Sequence, residues 1–470
     1  MMKKIFIVTV SGLLFLLSAQ KNSAAQSYYV DSLLGNDART GTSPAYAWKT
    51  LSKVNSAVFK PGDSILFKRG GLWRGRLWAA SGNIKDGYII YSSYGGGPEP
   101  RIFGSIQANK KSEWVSLGKN IWQNKNPAFS QDVGNLIFDD EKSTGIKKWS
   151  FKELKKQGDF YYDRGQKSLN LYSTKNPAEF YFDIECALRG NVIDIKGARY
   201  VIIENFDLRY GGSHGVAGSG VSNITIQDLK ISYMGGSDQN ENGKSKIRYG
   251  NGIEFFNSSH DTVVRRCRID NIYDAALTTQ GRSQGNVKFN QYFYNNIVSN
   301  CEYSFEYFNM TPDRSSFTSN IFVANNTFLY AGGGWAHGQR AKKSGTHFMF
   351  GYDNGKLNDF YIINNIAYSA SEANIYFNNK SNITSISFDY NLYSSATGLV
   401  YVQNWLPRRS RVFFNLQAWQ SLYGQDLHSI LGRPPAIDKG KFLEFVTDDF
   451  GGVKRPLGKA YDIGAYESGI

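Results

Sequence analysis

Between Val201 and Tyr393 one short phrase of sequence is written several times, and this repetition narrows the available folds more than any other feature. VIIENFDL from Val201, ITIQDLKI from Ile224, VVRRCRID from Val263, IFVANNTF from Ile321 and YIINNIAY from Tyr361 are runs of β-branched and aromatic residues with a polar residue near the centre. A second set follows each at a short distance: GIEFF from Gly252, ALTTQ from Ala276, SFEYF from Ser304, HFMFG from His347 and NIYFN from Asn374. Ile203 to Ile226 is a step of 23 residues and Ile253 to Leu277 one of 24, with longer steps where segments are inserted. A strand-bearing repeat of this period predicts an all-β parallel solenoid, each turn burying its apolar face against the next. In the first set Asn205, Asp228, Asn325 and Asn365 form the expected polar ladder, since side chains at the sheet spacing bond to one another and to the backbone.

The chain opens with Lys3 and Lys4, an apolar run from Ile5 to Leu17 and the small residues Ser23, Ala24 and Ala25. That pattern predicts a cleaved export signal over 1–25, a secreted or periplasmic protein and no inserted membrane segment. Three cysteines, Cys186, Cys267 and Cys301, are too few and odd in number for a disulfide framework. Cys267 falls on a strand and is expected to be a buried small residue. Lys and Arg outnumber Asp and Glu by 54 to 40, an excess that speaks of polyanionic partners. For an exported protein an acidic polysaccharide fits better than nucleic acid, and a monomer is expected.

In chain order, Tyr28–Asp31 reads as a strand, and Trp48, Leu51, Val54 and Val58 within Ala45–Phe59 have helical spacing after Ser43-Pro44. Such a helix would cap the open end of a stack of strands. Residues 26–470 are expected to form a single domain: a cap over 26–86, irregular early coils with a decoration over 87–199, in which 147–156 reads as a short helix or flap, regular coils over 200–395 and a closing segment over 396–470, with Leu416–Tyr423 helical.

YYVDSLLGNDARTGTSPAYAWKTLSKVN, FKPGDSILFKRGGLWRG and the late DIGAYE together resemble exported right-handed parallel β-helix proteins of the pectate-lyase-like, carbohydrate-active group. The resemblance implies a right-handed parallel β-helix with an N-terminal capping helix. It leaves the reaction open, because that group includes lyases, hydrolases, epimerases and binding proteins. The calcium-assisted alginate and chondroitin lyases of this fold use a Lys base with an Arg one coil later. Here the matching positions hold Glu254, Thr278 and Glu306. The NTD, DD and GHG motifs of polygalacturonase-like hydrolases do not occur in order. Asp139-Asp140-Glu141 and Asp448-Asp449 admit Ca²⁺ without forming a specific motif, so no metal ligand is assigned and the cofactor is left unknown.

Strand alternation turns Ile253, Leu277, Phe305, Phe348 and Ile375 inward and Glu254, Thr278, Glu306, Met349 and Tyr376 outward, and His347 is expected on the outward side as well. Two long insertions, Ser232–Gly250 and Tyr330–Thr346, leave the same turn and should rise as walls. One carries Lys244, Lys246, Arg248 and Tyr249; the other carries Trp335, His337, Arg340, Lys342 and Lys343. Between them lie Asp274, Glu302, Tyr303 and Glu306, with His347 at one edge, and Arg282 joins Arg248 and Arg340 as a cation for a substrate carboxylate. The candidate catalytic residues are therefore His347, His337, Tyr303, Glu254, Glu306 and Asp274. Arg248, Lys244, Tyr249, Arg282, Trp335 and Arg340 are the candidate substrate contacts. His214 is a weaker candidate one coil earlier, while His260 and His428 lie away from the groove.

Such a groove suits β-elimination from a uronate, with an arginine at the carboxylate and His or Tyr moving protons. The leaving group is the next sugar in a polysaccharide lyase, or a hydroxyl in a terminal-uronate dehydratase. It also suits glycoside hydrolysis by two carboxylates, and a non-catalytic glycan-binding protein is the third expectation.

Overall fold

A computed structural model describes residues 25–240, 245–311, 314–378, 380–394, 398–403, 411–433 and 435–469. The expected export signal, apart from Ala25, and Lys244 lie outside these residues. The fold is a parallel β-helix. Each regular coil has three strand segments, and each segment pairs in parallel with its equivalent one coil on.

The coil that starts at Ile224 shows the plan. Residues 224–227 pair with 262–265, Lys230–Ser232 with Arg268–Asp270, and 253–256 with 277–280. The first and third segments merge into one large sheet, and the second forms a separate ten-stranded sheet. Inward residues from all three, among them Ile226, Ile231, Ile253, Val264, Leu277, Phe293 and Phe305, are fully or almost fully buried in a single core.

The corner between the first two segments explains the Asn-rich sequence, and it corrects the expected ladder. Two adjacent positions are involved, with different tasks. Asn205, Asp228, Arg266, Asn295, Asn325, Asn364 and Tyr390 take the left-handed conformation, with φ between 50° and 62°, where Asn and Asp are tolerated best among side-chain-bearing residues. The following position points inward and carries the true ladder, Asn296, Asn326, Asn365 and Asn391, all fully buried. Asn326 Oδ1 accepts from the backbone N–H and the Nδ2 of Asn296 at 2.9 and 3.0 Å. Asn365 and Asn391 repeat the pattern, so buried amides satisfy one another. Asn205, Asp228 and Asn325 belong to the outer position. The closing segment binds that position: Asn295, Asn325 and Asn364 donate to the carbonyls of Asp448, Asp462 and Lys441.

The N-terminal and early regions differ from expectation. Ser27–Val30, Ser64–Lys68 and Ile89–Tyr94 already pair in parallel as the first rungs. The expected helix shrinks to Leu51–Ser56. Trp48 is held as a bridge to Val30, Asp37 takes the amides of Lys49 and Thr50, and Val58 is exposed. Within 87–199 the parallel stack contributes Ile89–Tyr94, Arg101–Phe103 and Ile193–Asp194, and the rest is largely an insertion. From Ser105–Gln107 to Ile184–Leu188 the chain forms two mainly antiparallel sheets. This insertion has its own core of Trp114, Phe129, Phe138, Phe160, Leu171 and Cys186. At the other end, Leu416–Tyr423 is an α-helix. It lays the fully buried Trp419 over Phe377 and Phe388, with its indole N–H given to Asp426.

Candidate active site

The third segment supplies the floor of a cleft. Ala217 pairs with Glu254, Glu254 with Thr278, and Thr278 with Glu306, so both glutamates stand in one outward row, two rungs and about 10 Å apart along the stack. Asp274 precedes the strand Ala275–Gly281 and reaches the same space. These carboxylates line a cleft of about 420 Å³ together with His214, Tyr249, Phe256, Arg282, Phe308 and Arg340.

Each carboxylate is held differently. Glu254 accepts from Asn251 Nδ2 at 2.6 Å, and its other oxygen lies 3.6 Å from His214 Nε2. The Nδ1 of that ring accepts from the Asn251 N–H, so the neutral imidazole carries its proton on Nε2, facing Glu254. Asp274 is paired with Arg340 at 3.0 Å. Glu306 accepts from Gln280 Nε2 at 2.5 Å. Burial, then the charge of Asp274 and less strongly that of Glu254, pushes the Glu306 carboxyl well above the usual range, against the pull of Arg340 and Arg282. Arg340 is itself fixed, donating to the Tyr273 carbonyl and lying over the rings of Tyr273 and Tyr303. It also reaches the fully buried Glu302, which accepts from the Ser344 N–H and faces His337 Nδ1 at 2.9 Å.

The structure thus brings together Glu254, Asp274, Glu306, Arg282, Tyr249, Arg340 and Arg248 at the cleft, and it moves others away. His347, expected on the outward face, is fully buried: Nδ1 bonds Ser304 Oγ, the ring lies beside Phe328, and burial lowers its pKa to about 3. Tyr303 is buried, its hydroxyl bonded to Ser344, and burial raises its pKa. Trp335 gives its N–H to the Asn271 carbonyl and lies tilted against the ring of Tyr273. Arg248, although it borders the cleft, is a buried clamp, donating to the carbonyls of Gly236 and Gly134 and to Gln339. His337 serves Glu302 rather than the cleft floor. Lys342 bonds Gln403. Asp139 caps Phe182 and Asp183, Glu141 holds Arg209 and Tyr210, and Asp448 holds Arg266. Among the described residues no group of three or more His, Cys, Asp or Glu side chains is placed to hold a metal ion.

Both inserted walls are present, and a third is added by the early insertion. Gln339 accepts from the Lys147 N–H and donates to the Gly145 carbonyl, and Arg164 pairs with Asp238 at 2.8 Å. Lys147 is buried against Asp132 at 2.6 Å, and burial lowers its pKa to about 8. Sequence reasoning read 147–156 as a short helix or flap without placing it beside the cleft, and it missed Asn251, Gln280, Phe256 and Arg189. Phe256 and Gln280 were readable as the outward positions two residues beyond Glu254 and Thr278; Arg189 had no sequence signal.

No protein-family model matches the chain. One curated relative, a lacto-N-biosidase of Bifidobacterium longum subsp. longum, is 33% identical over 115 residues, which is 23% of this chain and 7% of the relative's length. Among solved structures, XylC with xylose covers 94% of this chain and 98% of its own at 11% identity and a TM-score of 0.44. Pectate lyase Pel9A covers 95% and 97% at 14% identity and a TM-score of 0.41. The GH136 lacto-N-biosidase from Eubacterium ramulus covers 81% and 65% at 14% identity and a TM-score of 0.37.

Proposed function

We propose that this chain is an exported glycoside hydrolase that cleaves a glycan lying along the Glu254–Glu306 row. One observation carries the reading: in a single cleft, burial raises the Glu306 carboxyl well above its usual range while Asp274 sits against Arg340 as an ion pair. A carboxyl whose pKa is raised by burial, beside a second carboxyl paired with an arginine, is what hydrolysis of an acetal needs. Glu306 gives its proton to the glycosidic oxygen as the carbon–oxygen bond breaks. Asp274, paired with Arg340, faces the positive charge developing at the anomeric carbon. Water supplies the hydroxyl that ends there, and its remaining proton restores Glu306. Glu254, held by Asn251 and His214, is left to bind sugar hydroxyls. Arg282, exposed at the cleft, and Arg189 suit a glycan that carries an acidic group.

The relative's lacto-N-biosidase name points the same way. Elimination from a uronate falls behind because its proton-moving candidates are occupied elsewhere: His347 is buried, Tyr303 is bonded to Ser344 and His337 to Glu302. The test is a panel of neutral and uronate-containing glycans, followed by mass spectrometry and ultraviolet absorbance. Products that have each gained one water, lost in Glu306→Gln and Asp274→Asn, support the proposal; unsaturated products absorbing in the ultraviolet would replace it with elimination. Retention of a glycan with no product at all would favour a binding protein.

A further inference from the structure

The outward row does not stop at Glu254. Towards the N-terminus Glu254 pairs with Ala217, Ala217 with Asp194, and Asp194 with Trp78. The inward partners on the same rungs, Ile253, Val216, Ile193 and Leu77, are all fully buried, so strand alternation places Trp78 and Asp194 on the side of the cleft. At the sheet spacing Trp78 stands about 14 Å from Glu254 and about 24 Å from Glu306 along the stack. The ground between Asp194 and Glu254 is open. A hollow of about 230 Å³ shares His214, Tyr249 and Glu254 with the cleft and reaches Asp194 across the small residues Ala217 and Gly218.

Trp78 is 55% exposed, and among the described residues its indole N–H has no hydrogen-bond partner and its ring stacks on no other; Trp149 shares the unpaired N–H but is only half-buried, beside Lys147. Trp48, Trp73, Trp114, Trp122, Trp335 and Trp419 all donate theirs. Asp194 is oriented by Asn191 Nδ2 and the Lys196 N–H. In the opposite direction the row continues into Met349, Tyr376 and Tyr401, and these pack on one another, so the floor is covered there.

We propose that Trp78 is a distal sugar-binding platform, stacking on a residue of the same glycan chain whose scissile bond lies at Glu306, with Asp194 accepting hydroxyl hydrogen bonds on the way. The inference rests on the hydrolase reading and deepens it. The substrate is an extended oligosaccharide or polysaccharide whose bound residues run from the carboxylates towards the N-terminal coils. An apolar sugar face on a half-exposed indole is worth roughly three- to tenfold in affinity, by analogy with aromatic pairs.

The experiment compares the wild-type chain, Trp78→Ala and Trp78→Phe on oligosaccharide ladders, disaccharide to octasaccharide, from polygalacturonate, alginate and xylan. Expected for the wild type is a kcat/KM that climbs with length and steps up when the chain becomes long enough to reach Trp78. Trp78→Ala should lose that last step, by about three- to tenfold, while keeping the wild-type value on the shortest chain cleaved; Trp78→Phe should restore part of it. The same length profile in all three proteins, with hydrolysis intact, overturns this inference and leaves the hydrolase reading standing. No hydrolysis of any ladder by the wild type takes down both.

Discussion

Glu306→Gln removes a carboxyl whose pKa burial raises and leaves an amide of the same shape, whose oxygen can still accept from Gln280. The consequence for stability follows from linkage. The folded pKa is raised above the unfolded one, so between the two values the native state holds a proton that the unfolded chain has lost. Wild-type stability must then fall as pH rises through that window, by about 1.4 kcal/mol per pH unit for one proton. The window opens near the ordinary carboxylate value of 4.5 and closes where Glu306 ionises in the folded protein. Glutamine has no such window. Urea unfolding of both proteins at a series of pH values should therefore give a stability difference that is flat below the opening. Above it the difference should grow in favour of Glu306→Gln at about 1.4 kcal/mol per pH unit. The pH at which it levels off measures the folded pKa directly. Activity should be lost in the same variant by about 100-fold or more, the usual contribution of a general acid. A stability difference that stays level across the range would show Glu306 ionising at its ordinary value, and its assignment as the acid would fall.

Arg340→Met leaves Glu302 buried without its cation and releases Asp274. It should cost about 3–5 kcal/mol in urea unfolding and most of the activity, and a near-neutral result would contradict the central place given to Arg340. Asn326→Ala deletes both acceptor bonds to Asn296 and the donors to Phe293 and Asn365. A loss of at least about 3 kcal/mol is expected from the unsatisfied buried groups, whereas Asn205→Ala, at the outer position, should lose far less. His347→Leu should keep its kcat and lose about 1 kcal/mol with the Ser304 bond; a collapse of turnover with circular dichroism unchanged would return His347 to the site.

The repeats were legible because a strand every coil must bury alternate residues, and that constraint writes itself into the chain as Ile253, Leu277 and Phe305. The same alternation placed Glu254 and Glu306 outward, and the long insertions correctly located the cleft walls. What failed was finer. His347 lies on the strand Thr346–Asp353, where alternation from Phe348 implied exposure, yet its ring bonds Ser304 and lies beside the buried Phe328. The Asn ladder was misread by one residue, because paired Asn-Asn steps at 295–296, 325–326 and 364–365 look alike while one member takes the corner and the other the interior. The placing of the third wall was out of reach. Its contacts, Lys147 with Gln339 and Arg164 with Asp238, join residues far apart in the chain through side chains that no local pattern links. The helix near Trp48 was over-extended because apolar spacing was read without the pull of the Val30 bridge and the Asp37 turn.

The central claim is that the bond is broken by water under two carboxyl groups, Glu306 as the acid and Asp274 paired with Arg340. It is tested most directly by letting the protein act on a cleavable glycan in water enriched in heavy oxygen. Hydrolysis places one solvent oxygen at each new reducing end and leaves a saturated partner fragment, and Glu306→Gln should yield neither product. Unsaturated fragments carrying no solvent oxygen would contradict it.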